Sequence, residues 1–212
     1  RIFKTIDVTE LEIALAITTL SAIVGPITVT KYKHYLESKR EKEDPLGASI
    51  KLNSTIDQQL ILLKNDLDAC RVWISQFHNG GNFYPTGRSI QKFSIFYEHV
   101  KPNVKTVRET FTNLPVSLFN RPMAHLYNDG EILIPNFKKG ENFGLETFAQ
   151  DTGAKSVYIF ALNSPNDEFL GSLGIEYCNK PKQLNQDQLI EARVKAITIG
   201  TLLSTYLYPI NK

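Results

Sequence analysis

The sequence predicts an α+β fold: an antiparallel sheet with helices on its faces, preceded by a long apolar N-terminal helix. Three observations predict it. Two strand-like runs within residues 70–100 are joined by a glycine-rich connection, and a second pair, 157–162 and 169–177, flanks the turn Pro165-Asn166-Asp167. Amphipathic helical stripes bracket both hairpins: Leu52, Ile56, Leu60, Leu63 and Leu67 on one side, and Leu189, Ala192, Ala196, Gly200, Leu203 and Leu207 on the other. Paired strands with helices segregated to their faces define the α+β class.

A chain of 212 residues and 24.0 kDa supports one well-buried domain plus an accessory segment. With 24 Lys+Arg against 22 Asp+Glu there is no overall electrostatic case for nucleic acid, which is not expected as a partner. Cys70 and Cys178 have neither zinc-ligand spacing nor a disulfide framework; they read as buried strand cysteines in a reducing compartment.

After a short segment, 1–12, residues 13–30 carry no charge and lie between Glu12 and Lys31. As a helix they would reach roughly 27 Å, near the hydrocarbon thickness of a bilayer. The segment is therefore expected to span a membrane, the alternatives being a buried core helix or a partner-binding helix. Its five Ser and Thr residues do not veto insertion, because their hydroxyls can bond back to the helix backbone. Gly25-Pro26 should kink it. Arg1 and Lys4 precede it, whereas Lys31, Lys33, Lys39, Arg40 and Lys42 follow, so the C-terminal side is expected to be cytoplasmic in a single-pass protein. A signal peptide fits poorly, since the basic residues follow the apolar run.

Residues 31–48 form a charged helical stalk, broken near Pro45 and Gly47, which places the domain boundary at 45–49. The folded domain is expected over 49–208, with a short tail over 209–212 after Pro209. The Leu52–Leu67 stripe either packs on the sheet or pairs with its copy in a dimer, which a membrane helix at the same end would favour.

In the first hairpin, Val72, Ile74 and Gln76 face one side and Trp73, Ser75 and Phe77 the other, as in a central strand. The partner, 92–98, places Phe93, Ile95 and Tyr97 on one face. The connection of about ten residues containing Gly80, Gly81, Pro85 and Gly87 is long for a hairpin and suited to function. Asn113-Leu114-Pro115 reads as a helix start, followed by a helix carrying Leu118, Phe119, Met123 and Leu126 inward and shortened by Pro122. A turn at Asn128-Asp129-Gly130 leads into the short strand EILIPNF, and a second short helix over 143–150 stops at Gly153. Gly171 and Gly174 inside a strand imply close approach of a helix, another backbone or a ligand. Asn185 and Gln188 form a capping box for the last helix.

Three segments together resemble the GAF family. KSVYIFALNSPNDEFLGSLGIEYCNKPKQLNQDQLIEARVKAITIGTLLS is similar to its closing half, LPVSLFNRPMAHLYNDGEILIPNF to its central helix and short strand, and DACRVWISQFHNGGNFY to its opening strand. The resemblance covers about 49–208 and implies a GAF/PAS-like sheet, a sensory or ligand-binding role, a pocket between sheet and short helices, and dimerisation through terminal helices. The Phe-His-Asn-Gly run after an uncharged span also resembles membrane-anchored GAF-like proteins of tailed phages and marine bacteria. The Asn-Lys-Phe-Asp-Glu signature of cyclic-nucleotide binders is absent. So are a cysteine in the central helices, where bilin-binding members attach their chromophore, and the multi-cysteine pattern of the methionine sulfoxide reductase relatives.

No Walker loop, G-x-S-x-G elbow or Cys/His nucleophile spacing is found, and His78 and His99 read as ordinary histidines, so enzymatic activity is not expected. Gly80-Gly81 leads into another strand and lacks the helix N-terminus that makes a phosphate cradle. If a small molecule lies over the sheet, Trp73, Phe77, Phe96 and Tyr158 would be its apolar walls, and His78, Asn79, Arg88 and Arg121 its polar anchors; the cofactor, if any, is unspecified. The alternative is a structural or interaction component of a virion or membrane-associated assembly, its pocket filled by its own aromatics. The expected partners are membrane lipid, a second copy or larger assembly, and a small-molecule ligand. The 12 Phe and 9 Tyr suit both readings, because aromatics fill cores and interfaces alike.

Overall fold

The computed structural model describes Lys31, residues 45–83 and residues 85–207. The expected membrane-spanning segment 13–30, the segment before it, most of the stalk and the tail 209–212 lie outside the described residues. Among the described residues no helix is long and apolar enough to cross a membrane. The chain divides into two units, Arg1–Pro45 and Leu46–Lys212, and the sheet belongs to the second.

Helix α1 (Pro45–Asp66) opens at a proline, whose fixed φ and missing N–H suit a first helical position, and carries Gly47 within its first turn. Its stripe faces inward: Ile56, Leu60, Leu63 and Leu67 are fully buried, with Leu52 packed beside them. The sheet offers Val72, Ile74, Tyr158, Phe160, Leu173 and Ile175 as partners, so the stripe has no free face for a second copy. The dimer seam through Leu60 and Leu63 is thereby corrected to a core contact.

Six strands make one antiparallel sheet in the order β3 (Leu114–Pro115), β2 (Ser89–Val100), β1 (Arg71–Asn82), β6 (Phe169–Tyr177), β5 (Ser156–Asn163), β4 (Glu131–Ile134). Helix α1 lies on one face beside the last helix, α4 (Gln186–Leu207). The capping box forms as expected, Asn185 N–H donating to Gln188 Oε1 at 3.1 Å and Gln188 N–H to Asn185 Oδ1 at 2.9 Å. Leu189, Ala192, Ala196, Gly200 and Leu203 are buried, joined by Ile199, whereas Leu207 is 46% exposed in the final turn. Gly200 lies against the Asn163 carbonyl, which leaves no space for a side chain.

The first hairpin is longer than its hydrophobic pattern suggests. Both strands run 12 residues, shrinking the connection to residues 83–88. Slips in register between Ile74 and Ser75 and between Asn79 and Asn82 absorb the extra residues, and Gly81 adopts φ 98° at the second, where an ordinary side chain would be strained. Past Gln76, β1 pairs with β2 but not with β6; β3 still flanks β2 at Phe93 and Lys92, and beyond them the hairpin continues as a two-stranded ribbon.

The other face is covered by short elements: a 3-10 turn (Val116–Phe119), α2 (Asn120–Asp129) and α3 (Glu146–Thr152). Leu114–Pro115 pairs with β2 instead of starting a helix. Because a 3-10 turn rotates about 120° per residue, Leu118 and Phe119 diverge. Leu118 is 69% exposed, contrary to expectation, while Phe119, Met123 and Leu126 face inward. Pro122 is tolerated because it falls in the first turn of α2. Gly130 and Gly153 end α2 and α3 in the left-handed conformation.

Gly174 sits against the Trp73 indole and Gly171 against the Ser75 carbonyl, across the central β1–β6 pair. The close approach expected at both glycines is therefore by a ring and a backbone. Replacing Leu63 with Ala should lower the unfolding free energy by about 2–5 kcal/mol, read from urea denaturation. A loss well below 1 kcal/mol would show that α1 does not pack on the sheet.

Candidate ligand-binding site

The sheet face under the short helices presents Trp73 and Ser75 from β1, Phe93 and Ile95 from β2, Ile159 from β5 and Ser172 from β6. Alternation explains the choice, since these positions share one side of the pleat while Val72, Ile74 and Tyr158 share the other with α1 and α4. Phe111, Phe119, Pro122, Met123, Leu126, Leu145 and Phe148 form the roof. Ring contacts join the two layers, Trp73 to Phe148 at 6.2 Å and Phe93 to Phe119 at 5.2 Å between centroids, and Phe111 meets Phe148 at 5.2 Å within the roof. The free space between the layers is about 30 Å³, room for a water molecule. On the floor, Ser75 and Ser172 are hydrogen-bonded hydroxyl to hydroxyl at 2.7 Å.

Trp73 is held from behind by a buried polar network. Its Nε1–H donates to Glu176 Oε1 at 2.5 Å, while Arg71 Nη1 donates to Glu176 Oε2. Arg71 also donates from Nη2 to the carbonyls of Lys105, at 2.5 Å, and Thr152, at 3.3 Å. Glu98 lies 3.3 Å from Arg71 Nε and accepts from the N–H groups of Val107 and Arg108 at 2.8 and 3.1 Å. Burial pushes the Glu176 carboxyl up from its ordinary value, and the Arg71 charge and the Trp73 indole pull against that shift.

Of the eight residues singled out from sequence, Trp73 lines this cavity. Phe77 shares its face but stacks edge-on with Phe169 at 4.8 Å, outside the lining. Tyr158 is not a wall: it lies in the core under α1 and α4, its hydroxyl donating to Lys182 O at 2.6 Å. His78 meets Ser94 Oγ at 2.8 Å and stands 6.0 Å from Phe96, which is 41% exposed. Asn79 accepts from Ser89 Oγ at 3.1 Å, and Arg88 lies at the exposed hairpin tip. Arg121 is paired with Glu141 at 2.6 Å. These polar residues therefore do not converge on the cavity. His99 meets Asp57 at 3.2 Å across from α1. Among the described residues no group of three or more His, Cys, Asp or Glu side chains is placed to hold a metal ion.

This architecture, a six-stranded antiparallel sheet between two long helices and a layer of short ones, is a GAF-like fold. No family model matches the sequence, and no curated protein matches it significantly. Solved structures do match. GAF3 from Slr1393 of Synechocystis sp. PCC6803, in its photoproduct state, superposes with TM-score 0.57 at 11% identity, over 76% of this chain and 99% of that one. The blue-light-absorbing form of the Thermosynechococcus elongatus PixJ GAF domain gives 0.55 at 12%, over 73% and 88%. A far-red-absorbing dark state with bound biliverdin IXα gives 0.57 at 11%, over 74% and 92%. At such identities the likeness is one of fold.

The residues here do not fit a covalently held bilin. No cysteine lines the cavity, and its free space is far below the hundreds of cubic ångströms typical of ligand pockets. Cys70 immediately precedes β1 and Cys178 immediately follows β6, and both are free thiols. Burial pushes the Cys178 thiol up to about 12. Since this is above the ordinary thiol value, the protonated form contributes stability that is complete below pH about 9 and lost as pH rises towards about 12. Iodoacetamide should accordingly label Cys178 much more slowly in the folded protein at pH 8 than in urea; equal rates would contradict the protected thiol.

Proposed function

We propose that this chain is a sensory, ligand-binding module without catalytic activity, which holds a small and largely apolar molecule between the sheet and the short helices. The cavity wall supports the reading: aliphatic and aromatic side chains surround a floor whose polar groups, Ser75 and Ser172, are already bonded to each other. Such a lining favours an apolar guest with at most one polar atom reaching the hydroxyl pair, and offers neither nucleophile nor general base. The free space is small, so a guest enters by displacing the roof. Phe119 and Met123, both partly exposed and carried on short elements, are the side chains to move.

Residues 13–30 tether the module to the membrane, with the folded domain on the cytoplasmic side. A second copy pairs with it through the outer faces of α1 and α4, where Ile61, Leu62, Ile190, Val194 and Ile197 are exposed although their helices are packed on the sheet. A membrane anchor on each copy raises the local concentration and so favours that pairing.

Native mass spectrometry of the purified full chain should show a retained small molecule that Met123→Trp excludes without lowering the melting temperature. Absence of any adduct, together with no thermal shift from indole as an apolar probe, would reject the ligand-binding reading. For the dimer, Val194→Glu with Ile197→Glu should halve the mass seen by light scattering. An unchanged mass would exclude this helix face.

A further inference from the structure

The geometry points to a second binding site, remote from the aromatic cavity in its lining and opposite in chemistry: a cleft for a small phosphate-bearing anion, formed by Lys138, Lys155 and Lys180. It lies where the chain has left β4, is about to enter β5 and has just left β6, at one end of the sheet. Its volume is about 260 Å³, and Phe137 supplies an apolar wall beside the amides of Asn136 and Asn179.

Three features make this more than a scatter of surface lysines. The frame is rigid: Phe137 N–H donates to Lys155 O at 3.2 Å, and Lys155 N–H to Tyr177 O at 2.7 Å. Ser156 Oγ bridges the segments, donating to Pro135 O at 2.7 Å and accepting from Lys182 N–H at 2.8 Å. All three segments are thus tied before any ligand arrives, which lowers the ordering cost of binding.

Next, the ammonium groups are unengaged. Lys101 has Asp68, Lys182 has Leu67 O and the Tyr177 ring, and Lys195 has Gln59, but Lys138, Lys155 and Lys180 have no acceptor or carboxylate partner among the described residues. Glu141, the acidic residue closest in sequence to Lys138, is occupied by Arg121. Three like charges gathered around one cleft repel one another, and an anion relieves that repulsion.

Finally, charge and size select the class of ligand. A phosphate monoester carries about −1.5 to −2 at pH 7, twice a carboxylate, and so answers three lysines better. The cleft accepts a phosphate or pyrophosphate group with a small organic portion against Phe137, or the phosphate head of a lipid.

The test uses the purified full chain at low ionic strength with two probes. Inorganic pyrophosphate, followed by 31P NMR and calorimetry, should bind saturably, and binding should weaken with added salt. Replacing Lys138, Lys155 and Lys180 with Gln should reduce the affinity by about tenfold or more, whereas Lys51→Gln, an exposed control on α1, should leave it unchanged. The second probe is phosphatidylcholine vesicles with and without phosphatidic acid. A preference for the acidic vesicles that the triple variant loses, without pyrophosphate binding, assigns the site to a lipid headgroup; pyrophosphate binding lost in the triple variant assigns it to a soluble phosphate. If neither probe distinguishes the triple variant from the parent, or Lys51→Gln matters as much, the proposal is overturned. An unchanged melting temperature of the triple variant confirms that a loss comes from the site rather than the fold.

Discussion

The pairing of Arg71 with Glu176 is the constraint on which the cavity face of this molecule depends. The two side chains are fully buried and 105 residues apart in sequence, yet they face each other across the β1–β6 ladder. A buried ion pair adds little net stability over an apolar pair of the same shape, but removing one partner leaves an uncompensated charge at a cost of about 3–5 kcal/mol. Its contribution is therefore to specificity. Glu176 fixes the Trp73 indole, Arg71 gathers the Lys105 and Thr152 carbonyls, and Glu98 ties the loop at Val107 and Arg108 to the same point. Arg71 Nε, 3.3 Å from Glu98 Oε1, is the one buried side-chain donor in this arrangement that makes no hydrogen bond.

From that pin comes a division between a firm floor and a lighter roof. The floor is a sheet backed by two 22-residue helices, whereas the roof is a 3-10 turn, a 10-residue helix and a 7-residue helix. Short helices draw their stability from packing rather than from their own backbone bonds, so the aromatic contacts between the layers hold the roof as well as fill the cavity. The same rings that exclude a guest are those a guest would have to replace.

Much of the fold was legible in the sequence because it rests on local patterns. Both hairpins, the capping box at Asn185 and Gln188 and the glycine stop at Gly153 follow from spacing alone, and the tight approaches at Gly171 and Gly174 follow from glycine within a strand. The candidate site was legible only in part. The run VYIFAL is apolar on both faces, so nothing in it says that Val157 and Ile159 face the roof while Tyr158 faces the helices. Phe77, two residues from Ser75 on the same face, lies past the last β1–β6 pair, and strand parity alone could not locate that limit. Phe93, Ile95, Phe119, Met123 and Leu126 were recognisable as inward-facing but not as neighbours around one space. Arg71 and Glu176 carried no signal, because a charge that will be buried by a partner from the far end of the chain looks like any surface charge.

The two clefts, one apolar and one basic, share a single structural link. Helix α3 places Phe148 in the roof of the aromatic cavity, ends at Thr152, whose carbonyl accepts from Arg71, and leads within three residues to Lys155 in the basic cleft. Covalent continuity alone does not couple two sites; coupling requires that the connecting element have two arrangements that each ligand favours differently. In α3 the condition has a definite form. A guest that displaced Phe148 would have to strain or break the Thr152–Arg71 contact, at 3.3 Å the longest hydrogen bond of the buried network, whereas Lys155 is anchored to Tyr177 at 2.7 Å on the sheet. The helix, Thr152 included, can therefore yield while Lys155 stays fixed to the sheet, so that the roof is the part a guest would move and the basic cleft the part that would keep its shape.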